Sequence, residues 1–339
     1  MGDSEKVLSR IPSNSINLVI TSPPFGLLRQ KEYGNVDSSS YGKWFSPFAR
    51  EIRRILVPNG SFVLHIGSSW KKGEPIKDLY QYRLLLHLCD DLGFNMAQEV
   101  FAYNPAKLPG PAQWVTVNRK RLKDSVDLIW WLSKNTDPKS DNRRVLKTYS
   151  SKMKKLLDDP DYYEPNVTRP SGHTISDNFW KDNGGAIPPN AFNLPNAIAW
   201  GDNWLSVSNT SSRDAYRDGC DFLGLKTNPA RYPSFIPYFF IRFLTEPGDV
   251  ILDPFAGSNV TGYAAETLER NWIAIEKSEV YLNGSIVRFL EVPSLRAKTS
   301  NVVEKMRRKP ASYRIRCDSE ARLWNGKARS GRSRRPVGA

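Results

Sequence analysis

The chain has 339 residues, 40% hydrophobic and 25% charged, enough apolar material for one large domain or two of ordinary size. Its apolar runs, such as residues 55–57 and 62–64, are of strand length, well short of the roughly 20 apolar residues that span a bilayer, and the polar stretch 1–10 does not read as a signal peptide. The three cysteines and three histidines are scattered, which argues against a disulfide framework or a metal site and for a reducing, cytoplasmic setting. The net charge is +14, but residues 293–339 carry 14 Lys/Arg against 3 Asp/Glu, so +11 of it sits in that segment and the body is only weakly basic. Residues 293–339 read as a basic, disordered arm suited to attracting DNA or simply to solubility.

The first part, residues 1–134, alternates β-rich runs with amphipathic segments: INLVI, then WFSPFAREIRRIL, then SFVLHIG, then KDLYQYRLLLHLCDDL. This is the pattern of parallel strands joined by helices. FNMAQEVFAY and SVDLIWWLS follow as two more strands, expected to form an antiparallel edge. Residues 135–225 change character, being rich in Asn, Asp, Ser, Pro and Gly with weak periodicity, as in DNGGAIPPN. They read as a loop-rich insertion, either a recognition surface or an ordinary elaboration. Residues 226–292 return to the α/β pattern: SFIPYFFIRFL as a helix, DVILD as a strand, VTGYAAETLE as a helix, NWIAIE as a strand and EVYLNGSIVRFLE as a helix. The first and third parts are therefore expected to share one sheet, forming the two halves of a single domain.

Two stretches carry the chemistry. DPFAGSN, Asp253 to Asn259 with Phe255, Gly257 and Ser258 between them, connects a strand to a helix. Such a turn brings backbone N–H groups to a ligand at the carboxyl end of a sheet. It has one glycine where a dinucleotide fingerprint has three, and no Gly-Lys-Ser/Thr follows, so neither a pyrophosphate site nor a P-loop is indicated. Glu276 stands 19 positions past Gly257, at the end of the next strand, where a carboxylate can accept hydrogen bonds from both hydroxyls of a ribose. An adenosine-bearing ligand without a pyrophosphate, and preferably cationic to suit the carboxylates of Asp253 and Glu276 facing it, describes S-adenosylmethionine.

The second stretch, TSPPF at 21–25, ends the first strand in a stiff corner. Preceding DPFAGSN in the chain, it resembles the Asp/Asn/Ser-Pro-Pro-aromatic tetrapeptide of the DNA amino-methyltransferases, in the Ser form of the N4-cytosine members and in the permuted motif order of their β class. SPPFGLLRQKEYGN, NPAKLPGPAQWV, RPSGHTISDNF, KDNGGAIPPN and NPARYPSFIPYFFIRFLTEPGD extend the likeness to the PvuII-type modification methyltransferases over roughly residues 2–292. The resemblance implies a Rossmann-like S-adenosylmethionine-dependent fold with a seven-stranded, mostly parallel sheet. It also implies a duplex DNA substrate and a cognate restriction endonuclease acting on the same short site. Asp3 falls where relatives place an acidic residue near the adenine, and His65 where some of them carry an acid.

A cytosine N4 amino group is a poor nucleophile because its lone pair is delocalised into the ring. The Ser22 hydroxyl and the Pro23 carbonyl, which proline keeps out of the strand ladder, are two acceptors for its two N–H bonds, and orientation of the lone pair is the main source of rate. Pro24 stiffens the corner, Phe25 is a surface on which an extruded base stacks, and Thr21 faces the cofactor. A lone histidine in a strand such as His65 is more often a packed polar residue; it bonds the Ser22 hydroxyl if its strand lies beside the one leading to Ser22. Cytosine C5 chemistry is excluded, since no cysteine follows a proline. N6-adenine methylation stays open, as does a non-catalytic DNA-binding protein that keeps the fold.

Overall fold

The computed structural model describes residues 1–26, 36–159, 181–193, 215–231 and 233–291. The basic segment 293–339, the stretch 27–35 and much of the insertion lie outside the described residues. Seven strands form one sheet: β1 (Ile16–Thr21), β2 (Leu56–Ile66), β3 (Asn95–Tyr103), β4 (Val126–Ser133), β5 (Ala191–Asn193), β6 (Val250–Asp253) and β7 (Asn271–Ala274), in the spatial order β5-β3-β4-β2-β1-β6-β7. The pairs β1/β2, β1/β6, β6/β7 and β3/β5 are parallel, while β4 is antiparallel to both β2 and β3.

The sheet is therefore mostly parallel with seven strands, as expected, but the antiparallel strand is interior and not at an edge. The chain returns from β3 through residues 104–125 into β4, which satisfies its two ladders against β3 and β2. The end of β3 is then covered by Ala191–Asn193, three residues from the loop-rich middle part that the sequence pattern does not single out. An edge carrying unpaired N–H and C=O groups is a liability, and this short addition caps the last three of the nine residues of β3.

Two apolar clusters pack the two faces. On one, α6 (Phe235–Leu244) lies against Leu18, Ile20, Val63, Ile129 and Trp131. This helix is apolar nearly all round, consistent with burial of most of its side chains. On the other, α2 (Tyr41–Ile55) buries Tyr41, Phe45, Phe48, Ala49, Ile52 and Ile55, the 3–4 residue spacing of one helical stripe, against Val19, Phe62 and Leu64. The remaining helices are α1 (Ser4–Leu8), α3 (Tyr80–Leu86), α4 (Ser151–Asp158), α5 (Ala215–Phe222), α7 (Val260–Thr267) and α8 (Glu279–Ser285). Among the described residues, no helix is long and apolar enough to cross a membrane. All strands except β4 point their carboxyl ends to one side of the sheet, and both chemically suggestive stretches emerge there.

Candidate active site

β1 is a central strand, flanked by β2 and β6, so its carboxyl end is held from both sides. Thr21 closes the strand, fully buried, and its hydroxyl donates to Asp253 Oδ1 at 2.6 Å. Ser22 follows, half-buried, its Oγ 2.9 Å from Nδ1 of His65 near the end of β2, the less favoured of the two sequence readings of His65, which β1 and β2 lying side by side allows. Burial pushes the His65 pKa down, with Lys107 adding to the effect and Asp127 opposing it, so its imidazole is neutral at physiological pH. Among the described residues, no donor reaches the Pro23 carbonyl. The Pro24 carbonyl, by contrast, accepts the Tyr41 hydroxyl at 2.8 Å.

Phe25 is half-buried, its ring meeting that of His65 edge-on at a centroid distance of 5.7 Å. It lies across Gly67, where an added Cβ would come within 2.3 Å of Phe25 Cε2. The sequence suggests no more for Gly67 than a turn after β2, whereas the structure makes its bare backbone the seat of the Phe25 ring. Tyr80 donates to the Gly67 carbonyl at 2.5 Å, and the Tyr41 and Tyr80 rings meet edge-to-face at 5.0 Å behind Gly26. Two buried tyrosines on two helices thus pin the two backbone segments between which Phe25 lies. Both phenols are shifted upward by burial and stay neutral donors.

The second stretch leaves β6 beside this corner. Asp253 is 1% exposed. Its Oδ1 accepts from Thr21 and from the Phe255 N–H at 3.0 Å, and its Oδ2 accepts from the Thr261 hydroxyl at 2.6 Å. Burial outweighs these bonds, and its pKa is raised to about 6. The carboxylate expected to face a ligand is here a tie between β1, its own loop and α7. Gly257 has φ of +53°, and a Cβ there would lie 2.6 Å from Asn228 Nδ2, so both its conformation and its surroundings demand glycine. The Ser258 hydroxyl accepts from Arg288 Nη2 at 3.0 Å, and Asn259, also left-handed at φ 55°, caps α7 by accepting the Gly262 N–H at 3.0 Å. The side chains of Ser258 and Asn259 therefore hold the loop in shape.

Phe255 is half-buried, packed against Phe48 at 5.1 Å and Trp44 at 5.8 Å. Glu276 lies just beyond β7, its two oxygens accepting the Gly257 N–H at 2.8 Å and the Ser278 N–H at 2.7 Å. Asp3 caps α1 by accepting the Glu5 N–H at 3.1 Å and sits 3.3 Å from Lys277 Nζ. The Gly2 N–H donates to the Glu276 carbonyl at 3.0 Å, and the Ser4 hydroxyl to the Pro254 carbonyl. The first residues of the chain, remote in sequence from both stretches, are thereby brought to the same side of the sheet as Glu276.

The structure thus gathers Thr21, Ser22, Pro23, Pro24, Phe25, Asp253, Phe255, Gly257, Glu276 and Asp3 around the carboxyl ends of β1, β6 and β7. Tyr41, Tyr80, Gly67, Thr261, Asn228 and Arg288 join them without a signal in the sequence, because each reads as an ordinary core, turn or surface residue within its own element. Among the described residues, no cluster of His, Cys, Asp and Glu is arranged to hold a metal ion.

Comparison with known proteins gives this arrangement a context. The sequence pattern of the family described as DNA methylase (N6_N4_Mtase) matches residues 16–287. The type II methyltransferase M.PvuII of Proteus hauseri is 45% identical over 291 residues, which span 86% of this chain and 83% of that protein. The solved structure of PvuII DNA methyltransferase (cytosine-N4-specific) superposes with a TM-score of 0.67 at 36% identity, covering 91% of each chain. That of TTHA0409, a putative DNA modification methylase from Thermus thermophilus, superposes with a TM-score of 0.50 at 20% identity over 86% of this chain and 94% of that one, and shows the shared fold.

Proposed function

The chain belongs to the DNA methylase family, and from that premise we propose that it methylates the N4 amino group of a cytosine flipped out of a specific short duplex DNA sequence, using S-adenosylmethionine. The observation that carries this reading is the pairing, at the end of a central strand, of the Ser22 hydroxyl with a Pro23 carbonyl that no described residue engages. The 45% identity with M.PvuII supports cytosine over adenine, and Ser22 at the head of the tetrapeptide agrees.

The donor set fits S-adenosylmethionine. Each Glu276 oxygen spends one lone pair on a backbone N–H and keeps another, which is what two ribose hydroxyls require. Phe255 offers a partly exposed ring, the glycine at 257 brings backbone close to the ligand, and the carboxylates of Asp3 and Glu276 suit a cation. When bound, the cofactor supplies an electrophilic methyl group.

The protein's own residues do the rest. Ser22 and Pro23 accept the two N4–H bonds and turn the nitrogen lone pair out of conjugation, so the amine is oriented before it reacts. Phe25 holds the extruded base by stacking, worth roughly 1–3 kcal/mol. His65, neutral and 2.9 Å behind Ser22, takes through the serine hydroxyl the proton that the alkylated amine releases. The Thr21–Asp253 bond keeps catalytic corner and cofactor loop in one register.

Residues 135–225 supply target recognition, a role supported by β5, which fastens part of this segment to the last three residues of β3. The relative's type II designation supports a protective partnership with a restriction endonuclease cutting the same site in the cytoplasm. The test is to incubate the protein with unmethylated DNA and labelled S-adenosylmethionine, digest to nucleosides and identify the labelled product. N4-methyldeoxycytidine is expected; N6-methyldeoxyadenosine, or no labelled nucleoside, overturns the reading.

A further inference from the structure

The loop joining β3 to β4, residues 104–125, reaches the site described above only through the charge of Lys107, yet it rises from the same side of the sheet. Its two ends are the carboxyl end of β3 and the start of β4, where Tyr103 pairs with Val126. β4 runs beside the end of β2, with Ile66 opposite Leu128, so the loop stands two to three residues beyond the strand that presents His65. It carries Lys107, Arg119, Lys120, Arg121 and Lys123 against a single acid, Asp124.

The loop secures three of these cations and leaves two at its tip. The N–H groups of Lys120 and Arg121 both donate to the Trp114 carbonyl, at 2.8 and 3.1 Å, closing a tight turn that leaves Arg119 and Lys120 exposed at its tip. Lys107 is neutralised by Asp127 at 2.7 Å and the Lys123 ammonium anchors to the Pro105 carbonyl at 2.6 Å. Arg121 stacks on Trp70, 3.3 Å from the ring centroid, and staples the loop to the neighbouring segment that exposes Lys71 and Lys72. Two of its guanidinium nitrogens, Nε and Nη1, are buried and meet no acceptor among the described residues, so Arg121 serves to hold the loop in place while Arg119 and Lys120 carry the exposed charge. Leu122 is 92% exposed and Leu108 85%, an unfavourable display of apolar surface in the free protein.

We propose that this loop, with Lys71 and Lys72, is a second DNA-contacting surface, separate from the recognition insertion. It grips the phosphodiester backbone beside the flipped cytosine while its leucines pack against sugars. Polyanionic backbone is the occupant that matches clustered, exposed cations one loop away from the catalytic corner. Arg119, Lys120, Lys71 and Lys72 meet no carboxylate among the described residues, and Lys120 Nζ lies only loosely over the Trp114 ring, 5.9 Å from its centroid. The inference rests on the DNA methylase reading, and the experiment separates the two.

The test measures DNA affinity against salt, by fluorescence anisotropy with a labelled duplex, for the wild type and for Arg119→Gln/Lys120→Gln. The substitutions remove charge and keep length. Each phosphate contact contributes about 0.9 to the slope of log K against log salt, so the double variant is expected to lower that slope by up to about 1.8. Each lost contact also weakens binding about eightfold at 0.1 M salt. A comparison variant, Arg10→Gln/Arg50→Gln, loses the same charge on α1's trailing loop and on α2, and its slope is expected to match the wild type. Leu122→Gln is expected to weaken binding with the slope unchanged. Wild-type slope in Arg119→Gln/Lys120→Gln, or an equal drop in the comparison variant, overturns the proposal while methyl transfer by the wild type leaves the enzyme reading standing. A wild type that transfers no methyl group overturns the enzyme reading, and the slopes then decide the loop by themselves.

Discussion

Gly67→Ala isolates the seat of Phe25, the ring proposed to stack on the extruded base. The new Cβ would lie 2.3 Å from Phe25 Cε2, 2.5 Å from Cδ2 and 3.2 Å from Cζ, whereas carbon atoms settle at about 3.5–4.0 Å. One partner must therefore move by about 1.2 Å or more. The Gly67 carbonyl is held by Tyr80 at 2.5 Å and the strand behind it by β1 and β4, so the ring of Phe25 is the part that yields. A displacement near 1 Å at a reacting centre costs on the order of 100-fold, and loss of the stack alone costs roughly 1–3 kcal/mol. Steady-state methylation of a short duplex is expected to show kcat/KM down about 10- to 100-fold, with S-adenosylmethionine affinity by calorimetry within about twofold of wild type. Because the damage runs through Phe25, adding Gly67→Ala to Phe25→Ala should cost little more. Wild-type kcat/KM in Gly67→Ala, or fully additive losses in the double variant, would refute the reasoning.

Three further outcomes follow from the same geometry. Tyr41→Phe keeps the ring contacts but strips the Pro24 carbonyl of its 2.8 Å donor; a buried acceptor left unmet costs about 1–3 kcal/mol, to be read as a lower denaturation midpoint together with a reduced kcat. Asp253 has a pKa of about 6 in the folded chain against an ordinary 3.8, so the native state binds its proton more tightly than the unfolded chain does. Its contribution to stability is full below pH 3.8 and is lost as pH rises to 6, a change of about 3 kcal/mol; Asp253→Asn should flatten the stability profile across that window in denaturant titrations, and an unaltered slope would show that Asp253 is not its source. Glu276→Gln removes a charged acceptor, and since hydrogen bonds to charged groups are worth about 1.5–3 kcal/mol, S-adenosylmethionine affinity should fall about 10- to 100-fold in calorimetry while DNA affinity holds.

The sequence by itself determined the strongly patterned elements and pointed to the chemistry. Strand runs of apolar residues, the helical stripe of α2 and the nearly uniform apolarity of α6 are local patterns, and each element follows from residues within its own length. Two prolines that cannot join a ladder, after a serine and before an aromatic ring, made the corner at 22–25 legible because proline acts on its own backbone. What only the tertiary structure decided is which of these local pieces meet. The interior place of β4, the recruitment of Ala191–Asn193 to the sheet and the conversion of Asp253 from a ligand-facing acid into a buried tie with Thr21, 232 positions away, all rest on contacts between distant segments. So does the use of Gly67 as the seat of Phe25. A side chain's role depends on what packing leaves for its polar atoms and its volume, and that is set by neighbours that local periodicity does not name.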